Sequence, residues 1–334
     1  MQISYTQQHD YSEFHVIIMK KIKYKHVKTI FKIIIATFLC GFIGCEPYED
    51  YLYDYDHTAV YFGTQQPLRT LVSRTDQDYL EFKIGVALGG LRENKKDYSA
   101  EFMIDEGLLS AEYGADKFIL LPEDCYTIEN NNGTFTIPKG RFLGDRLVKI
   151  DKAKFADLPG SLENTYALPL RLTKTTADSI QNEKNYSIIV IKYIDEHSGA
   201  YYTKGWQAQW DGTAIVPETK VEYSHIDLSR NKIRLLTTRS LTQFDMAGMG
   251  NLGNSNGTAS AADHLMVSLV SGVVTLTTIP GSNIVTDRGS GYNADTKTYT
   301  LDYIYTKDGV SYLVNEELIL RQDVEKELRF ETWQ

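Results

Sequence analysis

The sequence predicts an all-β protein: an Ig-like antiparallel sandwich followed by a second, antiparallel β-barrel-like domain. Three observations predict it. Apolar and polar residues alternate over short runs, as in 79–86, where Leu80, Phe82, Ile84 and Val86 share one face. Turn signals such as Asn131-Asn132-Gly133 and Asp308-Gly309 separate such runs, because Asn, Asp and Gly accept the positive φ of tight hairpins. Tyrosine is abundant at 23 residues and proline scarce at 8, a composition that favours strands.

In chain order, strands are expected at 59–62, 79–86, 99–104, 125–129, 134–137, 166–172 and 186–193, with one short helix over 105–113. Seven or eight strands with turns between them suggest a sandwich over 58–195. From 196 to 334 the pattern stays β, with strands expected at 203–210, 221–228, 232–238, 264–270, 273–279, 297–305, 311–320 and 327–333. Eight strands in meander order can close into a small barrel, which removes exposed edges. Residues 245–262 are rich in Gly, Asn, Ser and Ala and read as a long loop, a feature that is usually functional or disordered.

The first 44 residues have a different character. The apolar run 30–44 holds only Lys32 as a charge and is preceded by Lys20, Lys21, Lys23, Lys25 and Lys28. It falls short of the ~20 apolar residues a spanning helix needs. A basic flank before a short apolar run reads as a secretory signal, with Met19 as the expected start. The segment closes on Phe42-Ile43-Gly44-Cys45, which resembles a bacterial lipobox and implies cleavage before Cys45 and lipidation of that cysteine. The alternative is an ordinary signal peptide with an incidental cysteine. Residues 45–57 then form an acidic, Tyr-rich tether.

Net charge is −9 over the whole chain, and residues 1–44 carry six lysines against Asp10 and Glu13, a net of +4. Cleavage therefore leaves 290 residues at −9 − 4 = −13. Such a body is repelled by nucleic-acid phosphates and anionic lipid, so neither is an expected partner, and membrane contact runs through the anchor only. With Cys45 lipidated, Cys125 has no disulfide partner and reads as a packed structural cysteine.

No pattern for catalysis, metal or cofactor emerges. There is no Gly-x-Ser-x-Gly elbow, His-Glu-x-x-His, EF-hand loop or phosphate-binding Gly-Lys-Ser/Thr run. His57, His197, His225 and His264 are scattered. Acidic pairs suited to glycoside hydrolysis arise by chance among 44 acidic residues. The informative constellation is aromatic: Tyr201, Tyr202, Trp206 and Trp210 lie within ten residues. On a strand, Trp206, Ala208 and Trp210 share one face while Gln207, Gln209 and Asp211 share the other. Flat rings stack on sugar C–H faces, and amide groups read hydroxyls. The other reading is that both Trp fill the barrel core, since two Trp at i, i+4 on one strand more often pack than bind. In that case Tyr201, Tyr202, Tyr292 and Asn293 are the better ligand candidates. Trp333 is either a rim residue or a cover for the barrel mouth. Asp178-Ser179-Ile180 matches a short O-glycosylation sequon.

The ordered set 121–126 (Leu-Pro-Glu-Asp-Cys-Tyr), 137–140 (Ile-Pro-Lys-Gly) and 166–171 (Tyr-Ala-Leu-Pro-Leu-Arg) resembles the N-terminal Ig-like module of unknown function in Bacteroidetes-type surface lipoproteins. Tyr201-Tyr202, Gly205-Trp206 and Leu320-Arg321 resemble the barrel-like module of unknown function that often follows it. The resemblance implies a non-catalytic, outer-membrane lipoprotein facing the cell exterior. It implies binding of an oligosaccharide or polysaccharide for a polysaccharide-utilisation system, beside a Sus-type transporter complex. A structural or adhesive envelope lipoprotein engaging protein partners is the other expectation.

Overall fold

The computed structural model describes residues 55–114, 117–130 and 132–328. The leader, Cys45, most of the tether, Asn131 and Trp333 lie outside them. Eleven strands build the first region: β1 (Ala59–Tyr61), β2 (Leu68–Ser73), β3 (Tyr79–Gly89), β4 (Tyr98–Ile104), β5 (Ile119–Leu120), β6 (Tyr126–Ile128), β7 (Thr134–Ile137), β8 (Leu143–Asp151), β9 (Tyr166–Thr175), β10 (Ser179–Ile180) and β11 (Tyr186–Asp195). They form two sheets, ordered β10-β1-β3-β8-β6 and β2-β11-β9-β4-β7, with β5 also on β9. Pairing is antiparallel except at β1–β10, β2–β11 and β5–β9, where it is parallel.

Side-chain alternation drives the sandwich together. Along β3, Leu80, Phe82, Ile84, Val86 and Leu88 are buried and meet Phe135, Leu168, Leu170 and Ile191 of the facing sheet. β9 and β11 are buried on both faces over most of their length, because α1 (Gly107–Tyr113) covers the outer side. Leu108 and Leu109 of that helix pack with Phe118 on Ala167, Ile188 and Val190. Cys125 is buried, and burial raises its thiol above the usual range, as a packed cysteine requires.

Two expectations change here. The turn around Asn132-Gly133 is not a hairpin: β6 pairs with β8 and β7 with β4, so the chain changes sheet at this point. The positive φ of Asn130 and Gly133 serves that crossing. β2 and β8 were not expected as strands. β2 pairs in parallel with β11, and its first three residues are only half-buried, so the alternating signal is weak.

The second region has its own sheet of eleven strands: β12 (Gly199–Gln209), β13 (Val221–Glu222), β14 (Lys232–Thr238), β15 (Gln243–Ala247), β16 (Asn256–Gly257), β17 (His264–Val270), β18 (Val273–Thr278), β19 (Ile284–Asp287), β20 (Gly291–Asn293), β21 (Thr298–Lys307) and β22 (Val310–Leu320). The main path runs β18-β17-β15-β14-β12-β22-β21-β19. This is an up-and-down meander in which the first strand, β12, pairs with both β14 and the last strand, β22. The two ends of the path meet through a side chain: the Thr278 hydroxyl accepts the Val285 amide at 2.8 Å. The sheet is thus a nearly closed barrel around Phe244, Met246, Leu265, Val267, Leu301 and Val314. Asp308 (φ 52°) and Gly309 (φ 78°) make the expected tight hairpin between β21 and β22.

Strand boundaries differ from expectation at several places. The run 221–228 yields only β13. β15 and β19 stand where no strand was expected; β15 buries Asp245 between Phe244 and Met246, which breaks the apolar alternation. At the C-terminal end, Val324–Glu327 is a short helix, α3, after α2 at Lys152–Ala156, and most of the strand expected over 327–333 lies outside the described residues.

The long Gly-rich segment after β15 is a plug rather than a free loop. Met249 and Gly250 are buried inside the barrel. Arg234, fully buried, donates from Nη2 to the Gly250 carbonyl. Lys232 Nζ holds the carbonyl and side chain of Asn251 at 2.8 and 2.7 Å. A Cβ at Gly248 would fall 2.7 Å from the Arg234 guanidinium, so the close approach needs glycine there.

Candidate functional site

β12 decides what the barrel shows to solvent. Its odd-numbered residues face inward: Tyr201 is 1% exposed, Thr203 is buried and Gln207 is 9% exposed. The even-numbered Tyr202, Trp206 and Trp210 are half-buried on the outer wall, with Ala208 fully buried between the two indoles. The expected sharing of faces along this strand is therefore what the backbone gives. The core reading for the tryptophans is corrected: neither belongs to the barrel core, which Tyr201, Tyr299, Tyr303 and Tyr305 fill instead. Successive residues of a strand point to opposite faces, so placing tyrosine inside at 201 puts the even-numbered 206 and 210 outside.

Tyr202, Trp206 and Trp210 recur every four residues, about 13 Å apart at ~3.3 Å per residue. Across the sheet from Trp206 lie Asn315 of β22 and then Asp302 of β21. Arg288 lies 3.5 Å from Asp302 and holds its guanidinium 5.1 Å above the Trp210 ring. Lys220 sits 4.9 Å above the Trp206 ring and 2.9 Å from Glu222. Each indole thus has an exposed cation over one face, flanked by carboxylate and amide groups. The wall combines flat apolar rings with donors and acceptors at their edges.

Several other candidates are engaged elsewhere. Tyr201 donates its hydroxyl to the His197 carbonyl at 2.8 Å inside the barrel, and burial raises its phenol far above the ordinary value. Gln207 Oε1 accepts the Asn251 amide at 2.6 Å and the Tyr305 hydroxyl at 3.1 Å, so it fastens the plug and is unavailable to a ligand. Gln209 faces the same way as Gln207, away from the indoles. Asn293 is exposed, but its side chain caps its own turn by accepting the amides of Asp295 and Thr296 at 3.0 and 3.1 Å. The eight candidates therefore do not form one cluster. Ser179 is half-buried in β10, its hydroxyl 2.9 Å from His57 Nε2.

Tyr292 occupies a second place that the sequence did not mark. It lines a cavity of about 530 Å³ where the end of β11 meets the barrel. Its ring packs on His197 and Tyr299, at 4.7 and 4.5 Å between centroids. Asp195 and Glu196 also line this cavity. Asp195 is 3% exposed; burial pushes its carboxyl up to about 7 although one oxygen accepts the His197 amide at 3.0 Å. Burial lowers His197. Only the junction of β11 and β12 brings these groups together, and nothing in their spacing announces it. Among the described residues, no group of three or more His, Cys, Asp or Glu is arranged to hold a metal ion.

A family model described as a "-like, N-terminal domain" matches residues 54–179. A search of curated proteins finds no match. Among solved structures, a protein of unknown function from Bacteroides ovatus aligns at 20% identity and a TM-score of 0.65, over 80% of this chain and 95% of its own. A second Bacteroides ovatus protein of unknown function aligns at 13% identity and a TM-score of 0.40, over 84% of this chain and 99% of its own. An auxiliary nutrient binding protein from Bacteroides thetaiotaomicron aligns at 13% identity and a TM-score of 0.36, over 79% and 93%. The last two scores do not establish a shared overall fold. With the first of these, the chain shares its fold: an all-β sandwich followed by a nearly closed barrel-like sheet.

Proposed function

We propose that this chain is a lipid-anchored cell-surface protein that binds a glycan without transforming it. The observation that carries the reading is the outer wall of β12. Trp206 and Trp210 are kept out of the core and left half-exposed at a spacing that suits an extended saccharide chain. Large aromatic rings left on a surface with polar groups at their edges mark interaction sites. Asn315, Asp302 and Arg288 supply hydrogen-bonding partners for hydroxyls beside the rings. A neutral ligand displaces the Lys220 and Arg288 side chains into water at little cost, because both are exposed.

The lipobox-like segment ending at Cys45 supports the anchor, and the resemblance to Bacteroidetes-type surface lipoproteins supports the cell-surface location. Service to a polysaccharide-utilisation system with a Sus-type transporter is what the family resemblance implies. Loss of palmitate labelling in Cys45→Ser, in the native host, is the expected result for the anchor.

The test of binding is a glycan array, followed by affinity electrophoresis in whole polysaccharides with the parent chain and a Trp206→Ala/Trp210→Ala variant. Retardation by at least one glycan, abolished in the variant, is expected. Unchanged retardation in the variant would place binding elsewhere. Absence of any glycan binding, with capture of a defined protein at this wall, would favour an adhesive role.

A further inference from the structure

The cavity at the junction of the sandwich and the barrel has no part in the outer-wall site. About 530 Å³ of space lies beside Asp195, Glu196 and Tyr292, with Phe244, Lys152 and Lys297 also in its lining. This lies within the roughly 300–1,000 Å³ typical of small-ligand sites. The lining has a distinct chemistry. Tyr292 and Phe244 offer aromatic surface on the barrel side, held in place by their packing on His197. Asp195 is an almost fully buried carboxyl, with one oxygen taken by the His197 amide. Glu196 Oε1 accepts the Thr75 amide at 2.7 Å, which fixes its direction.

Both ammonium groups already have a protein partner. Lys152 Nζ donates to the Arg74 carbonyl at 2.8 Å, and Lys297 Nζ pairs with Asp323 at 2.5 Å. Charges of both signs line the space, so a ligand of net charge meets repulsion on one side whichever sign it carries. A neutral ligand with an apolar face and several hydroxyls meets none. Its hydroxyls donate to the carboxylates and accept from the ammonium groups, while its C–H face rests on aromatic surface.

We propose that this cavity binds one neutral sugar unit, free or at a chain end, with Asp195 and Glu196 as hydroxyl acceptors and Tyr292 as the stacking surface. The site is separate from the outer wall and does not depend on it.

The test is saturation-transfer NMR with the chain from residue 46 onward and five probes at millimolar concentration: glucose, galactose, mannose, xylose and N-acetylglucosamine. Signal is expected for at least one probe, and is expected to persist in Trp206→Ala/Trp210→Ala. Ala294→Trp, at an exposed position on the cavity rim, should abolish it by filling the mouth. Asp195→Asn retains the acceptor for His197 and should weaken binding roughly tenfold by altering one hydroxyl contact. No signal from any of the five probes overturns the proposal, as does signal that survives Ala294→Trp. If the cavity fails while polysaccharide retardation still depends on the tryptophans, only the second site is lost.

Discussion

Tyr303 donates its hydroxyl to Glu316 at 2.7 Å, and the same oxygen accepts the Gly250 amide at 2.7 Å. One phenol thus joins the barrel wall to the plug in its interior. Glu316 is fully buried and also receives the Tyr223 hydroxyl at 3.0 Å. Burial raises its carboxyl above the ordinary range, against the opposing pull of Arg234 and of the two phenols. Tyr303→Phe should therefore leave a buried carboxyl and a buried amide each short of a partner. A loss of about 2–4 kcal/mol in urea unfolding is expected, since each unsatisfied buried group costs ~1–3 kcal/mol. A loss below half a kcal/mol would mean that the plug is held elsewhere.

Asp195 should make stability depend on pH. Its folded value of about 7 lies above the ~3.9 of an unfolded aspartate. Between those values the folded chain holds more protons than the unfolded one, so this group's contribution falls as pH rises from about 4 to 7. The full span corresponds to at most about 4 kcal/mol. Asp195→Asn should flatten that part of the profile and exceed the parent in stability at pH 8. Denaturant midpoints at pH 5 and pH 8 measure it, and an unaltered slope in the variant would refute it.

Thr278 closes the barrel with a hydroxyl where a backbone ladder is missing. Thr278→Val keeps the shape and removes the acceptor for the Val285 amide. A cost of about 1–2 kcal/mol is expected. Hydrogen exchange at Val285 should accelerate while exchange in β12 stays slow.

The outer-wall indoles should be nearly dispensable for folding. Trp206→Ala and Trp210→Ala remove half-exposed rings and leave no internal cavity, so each should cost less than about 2 kcal/mol. A larger loss would show that the rings are structural, and would weaken the glycan reading.

Much of this architecture was legible in local pattern. The alternation of 79–86, the Asp308-Gly309 turn and the two-faced character of 206–210 are all properties of neighbouring residues, and the folded chain keeps them. What was not legible depends on distant pairings. Gln207 looked like a ligand-reading amide because its engagement with Asn251 and Tyr305 spans 44 and 98 residues. The face of β12 that points inward is set by closure against β14 and β22, so which of Tyr201 and Trp206 enters the core is not legible from their spacing. The plug reads as a loop in sequence because its partners, Arg234 and Lys232, give no sign there of what they hold. The junction cavity draws on β11, β15 and β20, which no spacing rule connects.

Only Glu196, His197 and Ser198 separate the last strand of the sandwich from the first strand of the barrel. The Asp195 amide donates to the Thr238 hydroxyl at 2.9 Å across this gap, and Ser198 bonds the same hydroxyl. So short and fastened an elbow leaves little room for swivel. A cargo gripped by the barrel would be carried at a set attitude to the sandwich, like a tool in a fixed handle.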